Sequence, residues 1–343
     1  MTTWSNRQRF EAIFSGEPAD RPLVSAWRHF IEREQDAAGL AGAATEFQHT
    51  FQWDFVKINP RTTYYAEAWG NEYDYNRYDG VVPAVSKFLI HEPADMDGIE
   101  ELNASAAPFQ EQLDVVRRVS QGVDKETPVL QTVFSPLAVL EYLGGHRTLA
   151  SNRPAIRDAS PLPRLLAGNP EGAHQALRRI AYTLADYVQE LMCGGADGVF
   201  YAVLGLARDG YLTEEEYKTF GRPYDDIVLE ALQGAPSLLH TCGPQAHPER
   251  FVHDSVKAIH WADRAEGNPS LADFAQTLRG KAVVGGVAEG LFSGENAEQV
   301  RTQAEEAIKA MKDHAFILAP GCGLPLNATP STLQALRKAA LEA

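Results

Sequence analysis

Leu238-Leu239-His240-Thr241-Cys242-Gly243-Pro244 ends an apolar run that begins at Pro236. In an extended chain, residues i and i+2 point to the same face. His240 and Cys242 therefore present a ring nitrogen and a sulfur to one point where a strand stops, and Gly243-Pro244 turns the chain away. A second cysteine has a similar setting, because Phe316-Ile317-Leu318-Ala319-Pro320 runs into Gly321-Cys322-Gly323. The 80 residues from Cys242 to Cys322 exclude a small zinc knuckle and suit ligands carried by different strands. One histidine and two cysteines at strand ends are the donor set of a zinc site with an open fourth position. Two thiolates and an imidazole are soft enough to favour that metal. The plainer reading is three small buried residues that happen to lie near strand ends.

Working outward, short apolar runs start at Leu23, Asp54, Pro128, Asp197, Ser237, Ala258, Ala282 and Phe316. Helical patterns lie between most of them. Asn6 to Phe14 follows Ser5, Phe109 to Gly122 and Pro170 to Met192 are long, and Thr213-Glu-Glu-Glu216 has the form of a capping box. Strands alternating with helices imply parallel βαβ units. Eight of them predict an α/β fold, a (β/α)8 TIM barrel forming a single domain over residues 1–343. In that fold, active residues collect at the strand C-termini. An open doubly wound sheet competes, but no Gly-x-Gly-x-x-Gly follows an early strand. Residues 60–92 differ from the rest. They carry Tyr64, Tyr65, Tyr73, Tyr75 and Tyr78 with Asp79-Gly80 as a turn signal, which predicts a small antiparallel β-hairpin excursion.

Composition narrows the function classes. The chain has 343 residues, 44% of them hydrophobic and 22% charged, with a formal net charge of −15. That acidity argues against a nucleic-acid partner, since a phosphate-binding surface needs concentrated Lys and Arg. No apolar run is long enough to cross a bilayer, so no membrane partner and a cytoplasmic location are expected. Three cysteines in so long a chain do not make a disulfide framework. Cys193, at a helix end before a strand, reads as structural and on the face opposite the site.

Further candidates follow from position. Trp27, His29 and Asn59 come after the first two strands and are read as substrate-binding. Tyr201 and Arg208 bracket the loop after Asp197 to Val203. An Arg there can clamp a carboxylate or sulfonate in bidentate fashion. Asp263 and Glu289, each after a strand, are the candidate catalytic carboxylates. Glu141 is a weaker candidate, and His260, inside a strand, reads as a satisfied core histidine.

Several segments resemble the uroporphyrinogen decarboxylase superfamily, which includes zinc-dependent cobamide methyltransferases. They are Arg7-Gln-Arg-Phe-Glu-Ala-Ile-Phe-Ser-Gly-Glu-Pro-Ala-Asp-Arg-Pro22, Gly195-Ala-Asp-Gly-Val-Phe200, Leu212-Thr-Glu-Glu-Glu-Tyr-Lys-Thr-Phe-Gly-Arg-Pro-Tyr224, His240-Thr-Cys-Gly243 and Pro320-Gly-Cys-Gly-Leu-Pro325 with Thr329-Pro330. The resemblance spans most of the chain and implies the barrel. The decarboxylases carry an Arg-Gln-Ala-Gly-Arg signature for porphyrinogen carboxylates. The matching region here reads Trp27-Arg28-His29-Phe30, without the glycine and second arginine. The methyltransferases carry His-x-Cys and a distant Cys as zinc ligands, matched by His240, Cys242 and Cys322.

The resemblance therefore implies a zinc-dependent methyltransferase. It would move a methyl group between a corrinoid (methylcobalamin or cob(I)alamin) and a small thiol or methylated, for example methoxy, substrate. No Asp-x-His-x-x-Gly is present, so the corrinoid is expected on a separate protein or free. A metal-independent decarboxylase of a porphyrinogen-like or smaller carboxylic acid is the first alternative. A non-catalytic corrinoid- or tetrapyrrole-binding protein is the second.

Overall fold

The computed structural model describes residues 4–145, 157 and 160–343. Among the described residues ten strands follow in chain order: β1 (Leu23–Val24), β2 (Val56–Ile58), β3 (Glu72–Asp79), β4 (Val82–Lys87), β5 (Val129–Phe134), β6 (Gly198–Leu204), β7 (Ser237–Thr241), β8 (Ala258–His260), β9 (Ala282–Val287) and β10 (Phe316–Pro320). Eight of them form one parallel sheet in the order β1-β10-β9-β8-β7-β6-β5-β2. Every residue of these eight strands is buried, as expected where helices cover the outside and side chains fill the inside. The predicted strand starts agree with the observed ones to within two residues.

The two ends of that order meet. The Asp54 N–H donates to Val24 O at 3.0 Å, and Ser25 Oγ donates to Phe55 O at 2.8 Å, joining β1 to the segment that enters β2. The Asp54 carboxylate is fully buried at this seam. It accepts from the Val24 N–H (2.9 Å), from both terminal nitrogens of Arg21 (2.5 and 2.8 Å) and from Arg337 Nη1 (2.9 Å). The sheet thus curls into the α/β barrel that the strand count predicts.

Local sequence explains the helices that pack around it. Ser5 and Gln8 form a reciprocal capping box at the start of Asn6–Phe14, and Thr213 with Glu216 does the same at Glu214–Glu216. Ser135 caps Pro136–Leu143 by accepting from the Ala138 N–H, with Pro at the first helical position. The longest helix, Pro170–Cys193, buries one apolar stripe that includes Ala176, Ile180, Leu184 and Leu191. It ends at exposed Cys193, before the start of β6 and so on the face away from the strand C-termini. Among the described residues no helix is long and apolar enough to cross a membrane.

The excursion differs in one respect from the expected hairpin. β3 and β4 are antiparallel and turn at Gly80, but Tyr64–Trp69 ahead of them is a helix. Its Tyr64 and Tyr65 are buried, and both hydroxyls donate to Thr132 O on β5. Burying two rings against the barrel outweighs their preference for strand.

Candidate metal centre

His240 lies on β7 and Cys242 just past its end, two residues apart on the barrel side. Cys322 follows β10. Alternation along the strands decides what else faces this point. On β6, Phe200 points inward, with its ring centroid 5.2 Å from that of His240. On β8, His260 points inward and stacks on His240. On β2, Lys57 points inward, with Nζ 4.2 Å from the Phe200 ring centroid and 5.6 Å from that of Trp27.

The three candidate ligand atoms all lie within 4.8 Å of one another. Cys242 Sγ is 3.3 Å from Cys322 Sγ, and Cys322 Sγ is 3.7 Å from His240 Nε2. A tetrahedral zinc has Zn–S of about 2.3 Å and Zn–N of about 2.0 Å, which puts ligand atoms roughly 3.5 to 3.8 Å apart along its edges. The two Cys322 spacings are close to those edges, and the donor set fits zinc. Cys242 and His240 are buried and Cys322 is partly exposed, which leaves one approach open.

Each arm of the cluster is held by its own backbone. The Cys242 N–H donates to Leu204 O at 3.3 Å, where Leu204 sits at φ +55° at an irregularity in the β6–β7 register. Such a conformation is costly for leucine and marks a constrained turn. Arg208 Nε donates to Cys242 O at 3.4 Å. Gly243, at φ +89°, makes room for it, since a Cβ there would lie 2.4 Å from the guanidinium. On the other arm, the Gly321 N–H donates to Val287 O and the Leu324 N–H to Trp27 O, both at 2.8 Å. These bonds stretch the Gly321–Leu324 turn between β9 and the end of β1.

The electrostatics suit a metal ligand set. Burial pushes His240 well below the usual histidine range, with Lys57 acting in the same direction, so its imidazole is neutral at pH 7. The Cys322 thiol is pushed well up, first by its hydrogen bond with Cys242 and then by burial. The Cys322 sulfur is therefore not easily ionised without a cation beside it, and metal uptake would release protons. Burial lowers Lys57 to about 7, opposed by the charges of Cys322 and Cys242.

The sequence-derived candidates divide. His240, Cys242 and Cys322 come together. Trp27 packs edge-on against Phe200 and His260, at 5.3 and 5.2 Å between centroids. Asn59 accepts from Lys57 Nζ and lies near Gly323. Glu289 lies over the Gly321–Cys322 turn, where a Cβ on Gly321 would be 3.0 Å from its Oε2. Its charge acts on Cys322. Asp263 is occupied by backbone, with Oδ1 accepting from the Gly286 N–H at 2.8 Å. A Cβ at Gly285 (φ +149°) would lie 2.7 Å from that oxygen. Burial raises this carboxyl above its ordinary range.

His29 is turned to Glu34, with Nδ1 3.1 Å from a fully buried carboxylate. Arg208 supports Cys242 from behind. Tyr201 is not with the cluster. It alternates with Phe200 on β6, faces outward, and donates its hydroxyl to Asp225 Oδ1 at 2.6 Å. Its nearness to a strand end predicted a pocket role, and the period of two turns it to the opposite face. Glu141 is also bound elsewhere, accepting from Ser160 Oγ at 2.6 Å and from the Tyr211 hydroxyl.

The sequence profile of the family described as Uroporphyrinogen decarboxylase (URO-D) matches residues 5–343. The chain belongs to the uroporphyrinogen decarboxylase family. A curated relative, the uroporphyrinogen decarboxylase of Trichodesmium erythraeum (strain IMS101), is 24% identical over 229 residues, 64% of this chain. The chain spans 60% of the length of that relative. Among solved structures, a methyltransferase from Methanosarcina mazei is similar with a TM-score of 0.82 at 17% identity, covering 99% of each chain. A B12-independent methionine synthase from Shewanella sp. W3-18-1, in complex with selenomethionine, gives a TM-score of 0.57 at 15% identity, over 94% of this chain and 97% of that one. At such identities these likenesses establish the barrel fold.

Within this member of the uroporphyrinogen decarboxylase family, two residues beside the centre were not among the predicted site residues. Lys57 is one, and its signal was a lysine inside the apolar run Phe55-Val56-Lys57-Ile58 with the same parity as Asn59. His260 is the other. It is satisfied, as a core histidine should be, with Nε2 2.9 Å from Pro320 O, yet it packs directly on a candidate ligand.

Proposed function

We propose that this chain is a zinc-dependent methyltransferase that moves a methyl group between a corrinoid and a small thiol or methylated substrate. The observation that supports this reading most is the convergence of His240 Nε2, Cys242 Sγ and Cys322 Sγ within 4.8 Å at the C-terminal mouth of a parallel barrel. Those three atoms would hold the metal. Zinc, when bound, supplies Lewis acidity that stabilises a substrate thiolate at neutral pH or polarises the heteroatom of a methylated donor.

The chain's own residues do the rest. Neutral His240 offers its Nε2 lone pair without first losing a proton. Trp27 and Phe200 wall the site with apolar surface and exclude water. Glu289, above the Cys322 turn, is the carboxylate placed to take the proton that a substrate thiol releases. Asp263 acts in this reading by bracing the β8 and β9 ends through Gly286. His29, with Nδ1 engaged by Glu34, and Asn59 would orient the small substrate, and Arg208 acts from behind Cys242. The corrinoid would arrive on a separate protein or free, and the chain would work in the cytoplasm.

Metal-independent decarboxylation of a porphyrinogen-like or smaller acid is the second reading. The name of the curated relative favours it. Metal analysis separates the two. Near-stoichiometric zinc in wild type, lost in both Cys242→Ser and Cys322→Ser, supports methyl transfer. Zinc absent from carefully prepared wild type overturns it. A methylcobalamin demethylation assay over thiols and methoxy-aromatics then reads the direction of transfer.

A further inference from the structure

Lys57 is a buried ammonium in a place that offers it almost nothing. It has three N–H groups, and among the described residues its one hydrogen bond goes to Asn59 Oδ1. Its other near neighbours are the ring faces of Phe200 and Trp27. A neutral amide and two rings do not compensate a buried cation, which calls for a negative partner. Phe200, whose ring lies 4.2 Å from Nζ, itself packs on the candidate ligand His240, with ring centroids 5.2 Å apart.

The charge count of the loaded centre then matters. A divalent metal with two thiolates and a neutral imidazole sums to zero. While protonated, Lys57 adds one positive charge beside it, in a surrounding of low dielectric where that charge is weakly screened. Resting on the metal reading above, we propose that Lys57 makes the open position of this centre selective for a substrate that arrives as an anion, a thiolate, carboxylate or phenolate, over one that presents a neutral ether oxygen. Lys57 is a positioning residue in this role, since it acts through the field at the metal.

The test uses the full chain loaded with Co2+ in place of zinc and followed by its visible spectrum. Azide is the anionic probe and imidazole the neutral one. Wild type, Lys57→Met and Asn59→Asp are compared, the last giving the ammonium a carboxylate that cancels its charge. All three are expected to show the same thiolate-to-cobalt band. Both variants are expected to bind azide about tenfold more weakly or worse, with imidazole affinity unchanged. Equal azide affinity in wild type and Lys57→Met, with the band intact, overturns the role of Lys57 and leaves the metal centre standing. No thiolate band in wild type overturns both. If Lys57→Met does not fold, Asn59→Asp decides, and wild-type azide affinity there overturns the proposal.

Discussion

The imidazole of His260 stacks on that of His240, with ring centroids 4.6 Å apart and planes inclined by 27°. His260 Nε2 also reaches Pro320 O at 2.9 Å, two residues before Cys322. One side chain thus touches a candidate ligand on β7 and ties down the strand that delivers another. Burial lowers its pKa to about 3, so it remains neutral and can donate one N–H to that carbonyl at any ordinary pH. His260→Phe keeps a ring against His240 and loses the bond to Pro320. Outer partners of metal ligands typically contribute about 10- to 100-fold in affinity. The variant should bind one zinc with affinity reduced roughly tenfold, read by competition with a chromophoric chelator. Unchanged affinity would show that the Pro320 contact does not position Cys322.

Tyr201 provides the contrasting case. Its hydroxyl serves Asp225 outside the barrel, beside the helix Arg222–Glu230. Tyr201→Phe should leave zinc content and methyl-transfer rate unchanged. It should cost about 1–3 kcal/mol in urea unfolding, because a buried carboxyl loses a donor. A change in KM without a change in stability would return Tyr201 to the substrate pocket.

Asp225 makes stability depend on pH. Burial raises its carboxyl from 3.8 to about 7, against the opposing hydrogen bonds from Tyr201 and Tyr217. Between pH 4 and 7 the folded protein therefore holds a proton that the unfolded chain has released. The stability this proton brings is complete below about pH 4 and is lost as the pH rises through 7. In Asp225→Asn that contribution is absent. The stability of wild type relative to the variant should fall by about 1.4 kcal/mol per pH unit across this window. Parallel curves for the two proteins from pH 4 to 8 would rule this out.

Asp54 closes the barrel with one carboxylate shared by Arg21, Arg337 and the Val24 N–H. Asp54→Ala strands two guanidinium groups and a buried amide. Removing one partner from a buried ionic cluster typically costs about 3–5 kcal/mol. The denaturant midpoint should drop accordingly. An effect below 1 kcal/mol would mean that the seam is held by packing alone.

Much of this architecture could be read in the chain because it depends on simple periods. Apolar runs mark the eight barrel strands, since a parallel sheet is covered on both faces. His240 and Cys242 share a face because strands repeat every two residues. The same period was not applied to Tyr201, whose neighbour Phe200 takes the inward place. Lys57 was passed over because a lysine ordinarily signals solvent, and only the closed barrel shows that its position has none. Tyr64 and Tyr65 suggested strand by propensity, while their burial against Thr132 required a helix.

β1 contributes only Leu23 and Val24 to the ladder, so the ring is thinnest where it joins itself. Trp27 follows that short strand, Lys57 lies across the seam, and the turn that bears Cys322 hangs from the Trp27 carbonyl. A breathing motion at this join, far short of unfolding, would therefore wet all three together. In hydrogen-exchange terms, the amides of Val24, Ser25 and Leu324 would then exchange as one opening unit, and their protection would report how tightly the centre is sealed.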